Sequence, residues 1–370
     1  MQAWREFGLL TLKPEYTGGN EMNLEDALKR IQLPDEKAME LCARRWNSIA
    51  KPLHSLGKLE DALVKIAGIT GTHDIRLEKK ALIIMCADNG VVEEGVTQSG
   101  QEVTAIVSEN FLRKKATASI LCHAAGADIF PIDIGIARDT CLINRKIACG
   151  TKNMTKEPAM TREEALHAIE TGMDMVGELK DKGYQIIATG EMGIGNTTTS
   201  SAVASVLLDE PVEKVTGRGA GLSTEGLTRK ISAIHRAVAL NQPDPSDGVD
   251  VLAKVGGFDL AGLTGVFLGG AVFHVPIVID GFISAVAALA AAVICPAVKE
   301  YMLASHVSKE PAAEMILDRM GLSATLHADM CLGEGTGAVV YFPILDMACA
   351  VYNGMSTFED VSIEAYQPLL

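Results

Sequence analysis

The sequence predicts an α/β fold built on a parallel sheet with helices on both faces. Short apolar runs of strand character alternate with longer, patterned helical stretches over most of the chain, the alternation that strand–helix–strand crossovers produce. Polar, glycine-containing turns follow the strand candidates, and strand ends are where open parallel sheets place ligands.

The elements follow in order. Residues 23–67 have helical periodicity and no strand candidate. Strands are expected at 81–87, 128–134, 185–189 and 275–279. Between them, 105–125 reads as helix, and so does 161–182, opened by Thr161 with Glu164 three residues on, a capping-box signature. Residues 344–352 read as helix after Pro343. The stretch 260–298 is almost free of charge and long enough to cross a bilayer. Gly269-Gly270 and Pro276 interrupt it, Asp280 sits near its centre, and β-branched residues cluster at 275–279. Helix, buried strand, loop and helix therefore fit better than a membrane span.

With 370 residues the chain has material for two or three units, or for one large α/β domain with a lobe. The expected organisation is an extension at 1–22, a small helical domain formed from both chain ends (23–67 plus 344–370), and a large α/β catalytic domain at 68–343. The extension lacks a secretory apolar core, and Asp244-Pro245-Ser246-Asp247-Gly248 reads as a turn, not a linker.

A formal charge of −14, with no basic run longer than Arg113-Lys114-Lys115, argues against a nucleic-acid surface. Eight cysteines without a C-x-x-C pair signal neither a zinc site nor a redox couple, and fit reduced thiols in the cytoplasm. Eight histidines show no metal-ligand spacing. Neither a G-x-G-x-x-G fingerprint nor a P-loop occurs, so nucleotide hydrolysis has no support. No cofactor and no metal are expected.

Residues 185–201, QIIATGEMGIGNTTTSS, read as strand, glycine turn and helix start. Exposed N–H groups at such a start attract an anion, and glycine lets it approach. Glu191 would repel a phosphate there, so it is expected to face sugar hydroxyls or a cationic ring. Similar turns are Asp88-Asn89-Gly90, Glu93-Glu94-Gly95, Asp280-Gly281, the run Thr216 to Gly221 followed by Lys230, and Leu332-Gly333-Glu334-Gly335. The acids of the first two have capping as their plain alternative, Lys230 a solvated ammonium, and Ser308 a helix cap. Glu334, between two glycines in apolar surroundings, is expected to have a raised pKa and to serve as a general base; a surface turn is the alternative.

In combination these segments resemble the nicotinate-nucleotide:dimethylbenzimidazole phosphoribosyltransferases, which build the lower-ligand nucleotide of cobamides (vitamin B12). The matching pieces are LHSLGKLE (53–60), MCADNGVVEEGV (85–96), GEMGIGNTTTS (190–200), VLAKVGGFDLAGLTGVFLGGA (251–271), PIVIDGFISAVAALAA (276–291) and LGEGTGA (332–338). The resemblance implies a modified Rossmann-like domain with a small helical domain. It implies transfer of 5-phosphoribose from nicotinate mononucleotide to an aromatic base, with release of nicotinate and inversion from β to α. Glu334 falls on the general base; Glu191, Met192 and Gly193 on the substrate loop; Lys230, Gly281 and Ser308 on the phosphate site. Leu332 and Ser99 fall at substrate-contacting positions, Ser99 with its hydroxyl kept.

Three departures lie around the acceptor: Leu53-His54 for a usual Pro-Gly, Asn89 for a usual His, and Val107 for a Gln that touches the base. Dimethylbenzimidazole, phenol and p-cresol are therefore all candidate acceptors. The family also implies a dimer, of identical or of two similar chains. A non-catalytic paralogue and a magnesium- and pyrophosphate-dependent phosphoribosyltransferase are the alternatives; Glu334 speaks against the first, and the lack of paired acids at Val278-Ile279-Asp280-Gly281 against the second.

Overall fold

The computed structural model describes residues 22–366; all but the last residue of the expected extension lies outside them. Six strands form one sheet: β1 (Lys80–Ala87), β2 (Ala127–Gly135), β3 (Ile143–Asn144), β4 (Ile186–Met192), β5 (Ile277–Ile279) and β6 (Met302–Ala304). Their order is β3-β2-β1-β4-β5-β6 and every pairing is parallel. The winding therefore reverses between β1 and β4, the position at which doubly wound sheets open a crevice at their carboxyl ends.

The helices are α1 (Leu24–Leu28), α2 (Glu36–Ser48), α3 (Lys58–Thr70), α4 (Glu102–Leu112), α5 (Thr117–Ala125), α6 (Arg162–Asp181), α7 (Asn196–Leu208), α8 (Val212–Val215), α9 (Thr224–Asn241), α10 (Gly248–Val255), α11 (Phe258–Phe273), α12 (Phe282–Ile294), α13 (Ala313–Met320) and α14 (Thr336–Gly354). Successive side chains of β1 point to opposite faces. Ile83, Met85 and Ala87 join the core with α6, α7 and α9 to α12, whereas Leu82, Ile84 and Cys86 join the one with α2 to α5 and α14. All eight residues of β1 are buried, as a central parallel strand demands.

In the second layer the two chain ends meet. Trp46 of α2 packs edge-on against Tyr352 of α14 with centroids 5.1 Å apart, and Ile49 bridges Thr357. The LHSLGKLE segment supplies Glu60, which is buried and accepts from Lys51 Nζ at 2.6 Å and from the Leu56 N–H at 2.9 Å. Helix α1 instead packs across the sheet with α6 and α11, and its Leu24 N–H donates to Glu170 Oε1 at 3.0 Å.

Several boundaries differ from expectation. The 105–125 stretch is two helices, parted at the basic run where Lys114 adopts a φ of 56°. Strand β4 continues past Thr189, so Gly190, Glu191 and Met192 belong to the strand and not to the turn. Helix α14 starts at Thr336 and runs through Pro343; packing of the buried Phe342 and Leu345 offsets the hydrogen bond that proline cannot donate. The short strands β3 and β6 were not expected. Helix α6 does begin at Thr161: the Thr161 Oγ1 accepts from the Glu164 N–H at 3.1 Å and the Glu164 carboxylate accepts from the Thr161 N–H at 2.8 Å.

The apolar 260–298 stretch is α11, β5, a turn at Gly281 and α12, as expected. Among the described residues no helix is long and apolar enough to cross a membrane. Fifteen of the sixteen residues of α11 are buried. It meets α6 through glycines: a Cβ at Gly265 would lie 1.8 Å from the Ile169 carbonyl oxygen, and one at Gly172 would lie 2.0 Å from that of Gly262. The two backbones touch.

Candidate active site

A cavity of about 380 Å³ opens at the carboxyl ends of β4, β5 and β6. Its lining includes Glu191, Met192 and Gly193 from β4 and the turn after it, Asp280 and Gly281 from the turn after β5, His306 and Ser308 after β6, and Leu332 to Glu334. Segments far apart in sequence converge because parallel strands all end on one side.

The floor is acidic. Glu191 is buried, and its Oε2 accepts from Asn196 Nδ2 at the start of α7. Burial, together with the charges of Asp259 and Asp280, raises its pKa to about 8, opposed by the Asn196 hydrogen bond. Asp259, wholly buried at the start of α11, is raised by burial to about 6. Gly193 passes between these groups: a Cβ there would lie 2.4 Å from the Ala87 carbonyl oxygen and 2.9 Å from Asp259 Oδ2. Only glycine fits.

Asp280 organises the opposite wall. Its Oδ1 accepts the Gly337 and Ala338 N–H groups at 2.7 and 3.0 Å, and its Oδ2 accepts that of Gly335 at 3.0 Å. It thereby caps α14, whose own N-cap residue, Gly335, offers no side chain. Burial raises the Asp280 carboxyl, opposed by His306 and the three donors.

Glu334 stands immediately before that helix. Gly333, Glu334 and Gly335 have φ of 85°, 59° and 81°, a left-handed run that glycine adopts freely and that costs a glutamate about 1–2 kcal/mol. Asp280 holds one end of the run. Glu191 Oε1 lies 3.5 Å from the Glu334 N–H at its middle. The Glu334 side chain, half-buried, faces the Ala118 N–H in the uncapped first turn of α5. Burial raises its pKa; the α5 N–H works against that. A carboxylate held this way can take a proton from a group in the cavity.

At the far end, Lys230 of α9 is wholly buried. Its Nζ donates to Thr197 Oγ1 at 2.9 Å and to the Gly217 carbonyl at 3.1 Å, and Thr197 lines the cavity. Burial lowers the lysine pKa to about 8. Ser308, Gly219, Ala220 and Glu310 line the same end, and Gly281 N-caps α12 beside Ser308.

The cavity thus gathers Glu334, Glu191, Met192, Gly193, Gly281, Ser308 and Leu332, with Lys230 reaching it through Thr197. Two expected base-contacting residues are not among its lining: Ser99 lies in an exposed bend, and Val107 is half-buried on α4. Glu93 and Glu94 face Lys156 and Arg236 in ion pairs at 2.7 and 2.6 Å and are not among the cavity's lining. His306 and Glu310, which line the cavity, and Asp259, buried beside Glu191, were not foreseen. For Asp259 a signal existed: it is the lone acid opening an apolar run. Neither His306 nor Glu310 has one.

A phosphoribosyltransferase family model matches residues 31–363. The chain is 50% identical over 351 residues to the nicotinate-nucleotide–dimethylbenzimidazole phosphoribosyltransferase of Ruminiclostridium cellulolyticum, covering 94% of this chain and 100% of that one. Its counterpart in Acetivibrio thermocellus is 50% identical over 348 residues, covering 93% and 99%. The crystal structure of CobT from Thermus thermophilus superposes with a TM-score of 0.84 at 36% identity, over 89% of this chain and 100% of that one. The sheet, the strand-end cavity and matches of this length agree, and the chain belongs to the nicotinate-nucleotide–dimethylbenzimidazole phosphoribosyltransferase family.

Proposed function

We propose that this chain transfers 5-phosphoribose from nicotinate mononucleotide to 5,6-dimethylbenzimidazole, for assembly of the cobamide nucleotide loop. The observation that carries the reading is the cavity itself, with a proton-accepting carboxylate, Glu334, at one wall and a buried lysine, Lys230, behind the other end. Phosphate fits the end with Thr197, Ser308 and the Gly219 backbone; the ribosyl carbon then lies over Glu191 and Asp280. The bond from C1′ to the pyridinium nitrogen breaks, its electron pair neutralises the departing nicotinate ring, and no acid is needed there. A nitrogen of the acceptor bonds to C1′ from the opposite face, and the proton lost from the acceptor goes to Glu334. The Asp280 carboxylate, fixed by three backbone N–H groups, favours the cation-like transition state at C1′. Glu191, protonated near neutral pH, is suited to donate to a ribose hydroxyl.

The 50% identity to enzymes named for dimethylbenzimidazole supports that acceptor over phenol or p-cresol. Val107, the substitution that first suggested a phenolic base, is not among the cavity's lining. Purified protein given nicotinate mononucleotide with dimethylbenzimidazole, adenine, phenol or p-cresol should ribosylate dimethylbenzimidazole fastest, read by chromatography of the products. Glu334→Gln should lower turnover by about 10²–10⁴-fold while nicotinate mononucleotide still binds. Near-normal turnover in that variant would remove Glu334 from its role as base.

We also propose that the molecule acts as a dimer through the face of α4, α5 and α14. Ile106 of α4, Ile120 of α5 and Met347 of α14 stand 47%, 57% and 60% exposed, large apolar side chains that such a contact would cover. The chain ends, with Trp46 on Tyr352, would form one helical unit on that side. Eight free cysteines fit a reduced, cytoplasmic setting.

A further inference from the structure

The lysine end of the cavity already contains a carboxylate. Glu310 lines it beside Ser308, to whose Oγ its own N–H donates at 3.4 Å. Its Oε2 presses on the main chain at Gly217: a Cβ at that glycine would lie 1.8 Å from it. The Gly217 carbonyl is in turn one of the two acceptors of Lys230 Nζ. The Glu310 carboxylate also faces the Gly219 N–H and the Lys230 charge, both of which oppose the rise in its pKa caused by burial. Lys230, Gly219 and Ser308 are the groups an incoming phosphate monoester would use.

A phosphate dianion and the Glu310 carboxylate cannot both sit at this end beside the Gly219 N–H without strong repulsion in a half-buried space. We propose that Glu310 is the built-in counter-anion of the phosphate end, holding the Gly219 N–H and offsetting the Lys230 charge until a phosphate monoester displaces it. The inference rests on the placement of phosphate given under the proposed function. It makes Glu310 a residue that sets affinity: the carboxylate keeps Lys230 compensated in the free protein and excludes weaker anions, and the ligand binds by exchange.

The test is calorimetric titration of the full chain with ribose 5-phosphate and with inorganic phosphate, comparing wild type, Glu310→Gln and Lys230→Met. Glu310→Gln keeps the shape and removes the competing charge, and is expected to bind both ligands about tenfold tighter. Lys230→Met should bind them at least about tenfold more weakly. Unchanged or weaker binding in Glu310→Gln, with Lys230→Met still impaired, would overturn the role of Glu310 and leave the phosphate placement standing. Unchanged binding in Lys230→Met would overturn the placement itself. Should Glu310→Gln fail to fold, Glu310→Asp withdraws the charge by one methylene and is expected to tighten binding in the same sense; weaker binding there would count against the inference.

Discussion

Glu191 holds a proton at neutral pH, and that has a measurable cost. Its pKa is raised from 4.5 to about 8 in the folded chain. Below the unfolded value both states are protonated and the contribution to stability is complete. As pH rises through about 8 the folded carboxyl must ionise beside Asp259 and Asp280, and the contribution is lost. Stability should therefore decline between about pH 5 and pH 8, by no more than roughly 1.4 kcal/mol per unit of pKa shift. Glu191→Gln, which cannot ionise, should flatten that decline in thermal melts; an unaltered slope would assign it to other groups. At this scale the acids were partly readable. Glu334 stands out because two glycines flank it and apolar residues surround it. His306 and Glu310 matter only because β6, itself three residues long, delivers them to the cavity.

Among the elements, α14 is the one tied to the proposed base, since its N-terminus and the Glu334 loop share Asp280 as anchor. Asp280→Asn replaces one accepting oxygen by a donor and leaves a helix-start N–H without its partner. The expected loss is about 1–3 kcal/mol of stability. Turnover should fall further than nicotinate mononucleotide affinity does, because the loop that moves carries the proposed base; equal losses in both would mean that the loop keeps its place. The same helix shows where local signals fail. Proline is read as a boundary because it breaks the backbone ladder, yet the tertiary packing of Phe342 and Leu345 carries α14 through Pro343. The α6 start was legible because its two capping hydrogen bonds lie within four residues, whereas β3 and β6 owe their existence to neighbours that no local pattern contains.

On the scale of the whole molecule, the alternation of apolar runs and helices was enough for a parallel sheet covered on both faces, and its strand ends for the location of the cavity. Strand order was not legible, because pairing of β4 with both β1 and β5 joins residues far apart in sequence. Association is tested at this scale too. If the proposed dimer forms through α4, α5 and α14, Ile120→Glu should convert it to a monomer in sedimentation equilibrium, since a charge within an apolar contact is left without a partner. A persistent dimer would move the contact to another face. The α6–α11 contact carries a consequence of another sort. Elsewhere in a core, damage comes mostly from making side chains smaller. Where Gly172 and Gly265 let two main chains touch, nothing can be removed, and every missense change of a glycine codon adds atoms. A scan that only trims side chains would pass over this contact, whereas almost any inherited substitution at those two codons should be damaging.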